Sequence, residues 1–276
     1  MTITFSPSSG RVLQASVRGR DAFWVAPTDS SEGPSDWNLG GDRLWLGPER
    51  NWFWRGAGRD DLANHTVPAE IDPGNWDAVH RSTDGLDLVL TATLRDRDTG
   101  APTSVVVERH VTVHADTRYV AEYETETVLH VQSGQPVDAW SVVQVPLGGR
   151  LEIGVTGQFS FRDHLPEPVD PARFTVSRGI AAIDLLGKRM TKFGVTSDTA
   201  TGLLRYTRPG LVMERHIDIR PGGAYLDGPY HHTGDVIQVF EDDGHYGGYA
   251  ELEHHSIAAR PGETVVDRCR TVIRAT

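Results

Sequence analysis

The chain has 276 residues, 38% hydrophobic and 24% charged, the make-up of a globular protein large enough to bury a sizeable core. Its net charge of -11 argues against a nucleic-acid partner, because phosphate binding calls for clustered Lys and Arg, and its single cysteine, Cys269, excludes an internal disulfide. Residues 1–5 hold neither a basic segment nor an apolar run, and no stretch nears the roughly 18 apolar residues of a membrane span, so a cytoplasmic location without a membrane partner is expected.

In chain order, residues 10–27 read as two short strands, 12–17 and 22–25, about a turn holding Gly19. Residues 28–38 are a polar loop rich in turn formers. Trp45, Trp52 and Trp54 then fall close together beside Arg43, Glu49 and Arg50. Rings at that density either pack a core or line a cleft. From residue 86 the strand signal is strong. Leu86, Leu88, Leu90, Ala92 and Leu94 alternate with polar positions, as do Val105, Val107, Val111 and Val113. Tyr119, Ala121 and Tyr123 alternate with Glu122, Glu124 and Glu126, which read as a solvated face. Further strands are expected at 140–145, 211–219, 236–240 and 264–273, the last burying Cys269. No long helix is predicted, since no window keeps a 3.6-residue period; residues 59–64 make at most one turn. The expectation is an all-β, antiparallel sandwich in one domain spanning residues 1–276.

The most informative strand begins at Tyr249, after Gly247-Gly248, and runs through Ala250-Glu251-Leu252-Glu253-His254-His255. Alternation puts Tyr249, Glu251, Glu253 and His255 on one face, with Ala250, Leu252 and His254 on the core side. A row of two carboxylates, a phenol and an imidazole is unremarkable if solvated. Shielded from water, the two carboxylates would raise each other's pKa, which suits general acid–base chemistry or cation binding.

Three blocks carry a resemblance. The segment Gly40-Gly41-Asp42-Arg43-Leu44-Trp45-Leu46-Gly47-Pro48-Glu49 resembles a Gly-Gly-…-Arg-…-Trp-Leu-Gly-Pro-Glu block of uncharacterised bacterial families with the galactose mutarotase-like fold. Lys192-Phe193-Gly194 resembles their central Lys-Ile-Gly, and Tyr249-Ala250-Glu251-Leu252-Glu253 with Pro261-Gly262-Glu263 is similar to their Tyr-Glu-Leu-Glu strand and Pro-Gly-Glu turn. The resemblance implies a single-domain antiparallel β-supersandwich whose concave sheet face holds a carbohydrate. In the aldose 1-epimerases of that fold a glutamate near the C-terminus is the general base and a histidine the general acid. Glu253 sits nearest the base position, with Glu251 as the alternative. The family's Asn and His motifs have no counterpart here. Among His110, His114, His216, His231 and His232, the pair His231-His232 is chosen as acid because it lies in a loop just before the last strands. Arg43 and Lys192 are expected to hold hydroxyls or a carboxylate, with Trp45, Glu49 and Tyr249 completing the substrate site.

Other constellations are poorer. The run Glu241-Asp242-Asp243-Gly244-His245 offers oxygen ligands to Ca²⁺, or simply a turn. No zinc spacing, no nucleophile elbow and no phosphate-binding glycine loop occurs, so neither metal nor cofactor is expected. Two main readings stay open: an aldose 1-epimerase-like enzyme, and a non-catalytic carbohydrate-binding protein whose tryptophans stack on sugar rings. A lyase or hydrolase of acidic polysaccharide is a third. The partner in each is a carbohydrate, and oligomeric state is left open. One geometric expectation tests the scheme. Arg43, Glu49, Lys192, Glu251 and Glu253 should converge on one pocket walled by a tryptophan from residues 45–54.

Overall fold

The computed structural model describes residues 3–27, 37–56, 62–229 and 232–276. Among them, strands assemble into two large sheets in which every pairing is antiparallel. One sheet has nine strands, ordered Ile3–Ser6, Arg11–Val17, Asp42–Gly47, Asp138–Pro146, Tyr249–His255, Asp235–Glu241, Thr191–Thr196 and Arg162–Asp163, with Arg20–Asp21 paired to Arg11–Val17 off this path. The other has ten, and its centre is Leu211–Ile217, Thr264–Arg274, Val120–Ser133, Pro102–Asp116 and Gly85–Arg95.

Alternation explains most of these strands. In Gly85–Arg95 and Pro102–Asp116 the expected Leu and Val positions are buried, except Val113, which is half-buried, and the core between the sheets is built from them. Glu122 and Glu126 face outward as expected and pair with Arg270 and Arg268 on the neighbouring strand. Cys269 is buried in Thr264–Arg274. Some expectations need correction. Residues 22–25 form no strand; Arg20–Asp21 pairs instead, and Val25 makes only an isolated bridge to Gly40. Residues 28–36 and 57–61 lie outside the described residues; of the expected helical turn, Leu62–Asn64 is a 3-10 turn. A short helix, Glu49–Trp52, was not expected.

Two features hold the sheets in register. Asp42, fully buried, accepts hydrogen bonds from Arg109 (2.9 Å), Arg215 (2.8 Å) and Tyr123 (2.8 Å), all on the opposite sheet. Burial pushes its carboxyl pKa up, but the two guanidinium groups and the phenol outweigh that and leave it lowered. His254 pairs with Asp267 of Thr264–Arg274 at 3.0 Å, joining the sheets a second time. Asp42 and His254 therefore point into the sandwich. Arg43 and Glu253, next along their strands, point to the other face of the nine-stranded sheet. The Gly40-Gly41 pair makes the start of Asp42–Gly47 possible: both adopt positive φ (90° and 79°), and a Cβ on either would fall within 2.6 Å of a backbone oxygen of Trp24 or Val12.

Candidate functional site

Cross-strand pairing places the side chains of this outer face in rows, since directly opposed residues of an antiparallel pair share a face. Arg43 opposes Val142, then Glu253, Gln238 and Gly194. Trp45 opposes Trp140, then His255. Gln144 opposes Glu251, then Phe240 and Lys192. Residues far apart in sequence thus become neighbours through register alone.

The charged groups pair closely. Arg43 donates to Glu251 Oε1 at 2.6 Å, and Gln144 donates to the same oxygen at 3.0 Å. Lys192 Nζ lies 3.0 Å from Glu49 Oε2 and 3.1 Å from Glu253 Oε2. The Trp140 indole also donates to Glu253 Oε2, at 2.8 Å, and the Trp54 indole donates to Glu49 Oε1 at 3.0 Å. Behind them Asp72 accepts from Trp45 (2.7 Å) and pairs with Arg11. Arg43 sits over the Trp45 ring at 4.0 Å and Lys192 over the Trp140 ring at 4.6 Å, the geometry of cation–π attraction.

Burial shapes the titration of these groups. It pushes the Glu253 carboxyl up to about 7, opposed by Lys192 and reinforced by Glu251 and Glu49. Glu251 is also raised by burial, against the pull of Arg43 and Lys192. Burial raises the Tyr249 phenol well above its ordinary value, and Glu251 raises it further. One strand position beyond Glu253 on the same face, His255 stacks on Trp140, with ring centroids 5.3 Å apart. Its Nδ1 is 3.2 Å from Asp138 and its Nε2 3.8 Å from Asp227. Burial disfavours the charged imidazole, yet Asp138, Asp227 and Glu253 outweigh it and raise its pKa.

A pocket of about 490 Å³, including its open mouth, lies over these rows. Its walls include Trp37, Trp45, Trp54, Trp140, Tyr246 and Tyr249, and its polar lining comes from Glu49, Lys192, Glu251 and His65. The structure therefore brings Arg43, Trp45, Glu49, Lys192, Tyr249, Glu251 and Glu253 together at one place. They are not equivalent. Glu251 faces the pocket, whereas Glu253 is fully buried beneath Lys192 and Trp140. Trp45 and Trp54 are both buried and pocket-lining, so core packing and cleft lining are not alternatives for them; Trp52 belongs to the core alone.

Of the pair expected to supply the acid, His232 falls outside the pocket wall. His231 lies outside the described residues. His232 is exposed, and its carbonyl accepts from Arg50 at 3.4 Å; its side chain is not part of the pocket wall. His110 pairs with Asp87 on the ten-stranded sheet. The histidine that does line the pocket is His65, stacked on Phe53 and with Nε2 3.9 Å from Glu49 Oε1. Nothing in its sequence surroundings, Asn64-His65-Thr66, marked it. The turn at 241–245 is a turn: buried Asp242 accepts from the backbone N–H groups of Gly244, Tyr246 and Gly248. Among the described residues no group of three or more His, Cys, Asp or Glu is placed to hold a metal, and no helix is long and apolar enough to cross a membrane.

Solved structures align with nearly the whole chain. A candidate aldose 1-epimerase of Escherichia coli K12 superposes with a TM-score of 0.64 at 13% identity, covering 99% of this chain and 96% of that one. The fold is that of the galactose mutarotase-like proteins. An aldose epimerase homologue of Caenorhabditis elegans aligns at TM-score 0.53 and 10% identity, over 99% and 95% of the two chains. A galactose mutarotase-like protein of Clostridium acetobutylicum gives 0.53 and 10%, over 99% and 92%. No family model matches the sequence, and no curated protein does. In this galactose mutarotase-like fold the two sheets described above are the supersandwich expected from the three sequence blocks.

Proposed function

We propose that the protein is carbohydrate-active and aldose 1-epimerase-like, working on a sugar held over the outer face of the nine-stranded sheet. The observation that carries this reading is the Glu253–Lys192–Glu49 chain at the floor of an aromatic-walled pocket, with the Glu253 carboxyl pushed up to about 7. A carboxyl with that pKa exchanges its proton near neutral pH, as a general base must. In the proposed reaction the base takes the proton of the anomeric hydroxyl, an acid protonates the ring oxygen, and the ring opens to the aldehyde and recloses on either face. Glu253 is the base, with Glu251 the pocket-facing alternative. His65 takes the place of His232 as the acid of choice, because among the described residues it is the histidine in the wall. Arg43 orients Glu251, and the indoles supply stacking surface for the sugar ring.

The test follows anomer interconversion of several aldoses by polarimetry. Loss of a positioned proton-transfer group typically removes ~10²–10⁴-fold, so Glu253→Gln should fall by about that factor. Wild-type rates equal to buffer for every sugar remove the epimerase reading.

A non-catalytic sugar-binding protein is the second reading, favoured by one observation: the Glu253 carboxylate has no exposed surface. Saturable quenching of tryptophan fluorescence by a sugar without interconversion would establish it.

A further inference from the structure

The pocket's charge and its rings constrain what kind of sugar it takes. Among the described residues, its wall carries two carboxylates, Glu49 and Glu251, against one ammonium, Lys192, and the imidazole of His65, which lies 3.9 Å from Glu49. Neither nearby cation is available to a ligand anion. Arg43 is nearly sealed from solvent and committed to Glu251, and Lys192 is held between Glu49 and Glu253.

Glu251 is the second observation. Its side chain is 92% buried (8% exposed), and both of its hydrogen bonds, from Arg43 and Gln144, end on Oε1. Among the described residues Oε2 accepts none, although Glu251 forms part of the pocket wall. A carboxylate oxygen so nearly enclosed loses hydration without gaining a donor, and a ligand N–H would supply one. Around it stand aromatic rings that already serve as seats for cations: the protein's own Arg43 rests on Trp45 and Lys192 on Trp140. Tyr246, Tyr249 and Trp54 line the same space. Carboxylate plus aromatic box is the combination that favours a protonated amine over a neutral or acidic group.

We propose that the ligand of this pocket is an amino sugar, its protonated amine pairing with Glu251 Oε2 within the aromatic wall. This rests on the sugar-binding reading above and narrows it. An acidic sugar would instead face the open Oε2 of Glu251, with Arg43 and Lys192 already bound to carboxylates, which argues against the acidic-polysaccharide alternative.

The test is a binding panel on one skeleton, read by tryptophan fluorescence or calorimetry at about pH 7, where an amine of this class is largely protonated. The probes are glucose, glucosamine, N-acetylglucosamine and glucuronate, with galactose and galactosamine in parallel. The amine-bearing member of at least one pair should bind about tenfold or more tightly than its neutral parent, and added salt should weaken that preference. N-acetylglucosamine, which keeps the bulk and loses the charge, should show no gain. Glu251→Gln should bring the amine-to-parent ratio towards one. Equal affinities within both pairs, an N-acetyl sugar matching the amine, or preference for glucuronate overturns the inference while leaving the sugar-binding reading intact. Absence of binding by every probe overturns both. Should Glu251→Gln fail to fold, the wild-type panel alone decides.

Discussion

Lys192 Nζ lies 3.1 Å from Glu253 Oε2, although the two residues sit on strands separated by Asp235–Glu241. The same nitrogen reaches Glu49 at 3.0 Å on the short helix after Asp42–Gly47. Lys192 is therefore the ion that lets two carboxylates coexist in a space nearly closed to water. Replacing it with Met keeps the length of the stem and removes the charge. Breaking a buried pair from one side typically costs about 3–5 kcal/mol, and Lys192→Met should lose stability on that scale in urea unfolding. The loss should be larger at about pH 8 than at about pH 5, because acid protonates the abandoned carboxylates.

Glu253 sets a pH dependence of stability whose sign follows from its raised pKa. The folded state holds the carboxyl proton up to about 7, while an unfolded glutamate releases it near its ordinary value of 4.5. Between those values the folded state binds more protons, so stability is fully present below the unfolded pKa and falls as pH rises through about 7. Above that the penalty is constant. Glu253→Gln should flatten this segment of the stability–pH curve, measured by denaturant titration at a series of pH values. A variant curve parallel to wild type between those limits would contradict the assignment.

Asp42 supports a third prediction. Asp42→Asn leaves Arg109 and Arg215 fully buried without their shared anion, and Tyr123 without its charged acceptor. A loss of about 3–5 kcal/mol is expected from thermal or urea unfolding, with the pocket ligand still bound by the folded fraction. The combined change Asp42→Asn with Arg215→Met should cost less than the sum of the single changes, because each removes a partner the other needed.

Sequence alternation was enough to place Glu251, Glu253 and His255 on one face and Leu252 and His254 on the other, because side-chain direction along a strand is a local property. Leu86–Leu94 and Val105–Val113 were legible for the same reason. Trp140, Gln144 and His65 were not, although each touches or lines the site. Their membership depends on which strands lie side by side, and on where the chain between Trp54 and Trp76 folds back. That is long-range information. Strands such as Ile180–Leu185 and Thr191–Thr196 escaped because they are short and buried on both faces over most of their length, so no clean alternation marks them. Lys192 was found by resemblance to a motif and was expected to converge with Glu253; the 3.1 Å contact itself is a product of register. The paired charges Asp42, Arg109 and Arg215 looked like ordinary polar positions in strands, since burial between sheets leaves no local signature when the ions satisfy one another.

Gly194 gives the most local test of the packing beside the site. It continues the row of Arg43, Glu253 and Gln238 across Thr191–Thr196, with an ordinary strand backbone, so its lack of a side chain is not a matter of φ. What occupies the space of its missing Cβ is the Asp235–His164 pair. Asp235 Oδ2 would stand 2.3 Å and His164 Nε2 2.7 Å from an added methyl, and the two are bonded to each other at 2.8 Å with no exposed surface. Gly194→Ala must therefore push apart or displace a buried carboxylate–imidazole pair that Arg162 also holds. Overpacking of a well-filled interior usually costs about 1–3 kcal/mol, and a loss of at least that size is expected in urea unfolding. The discriminating measurement is a double-mutant cycle with His164→Ala, which vacates part of the contested space. If the clash is the cause, Gly194→Ala should cost markedly less in that background. Equal costs in both backgrounds would show that the glycine is required for some other reason.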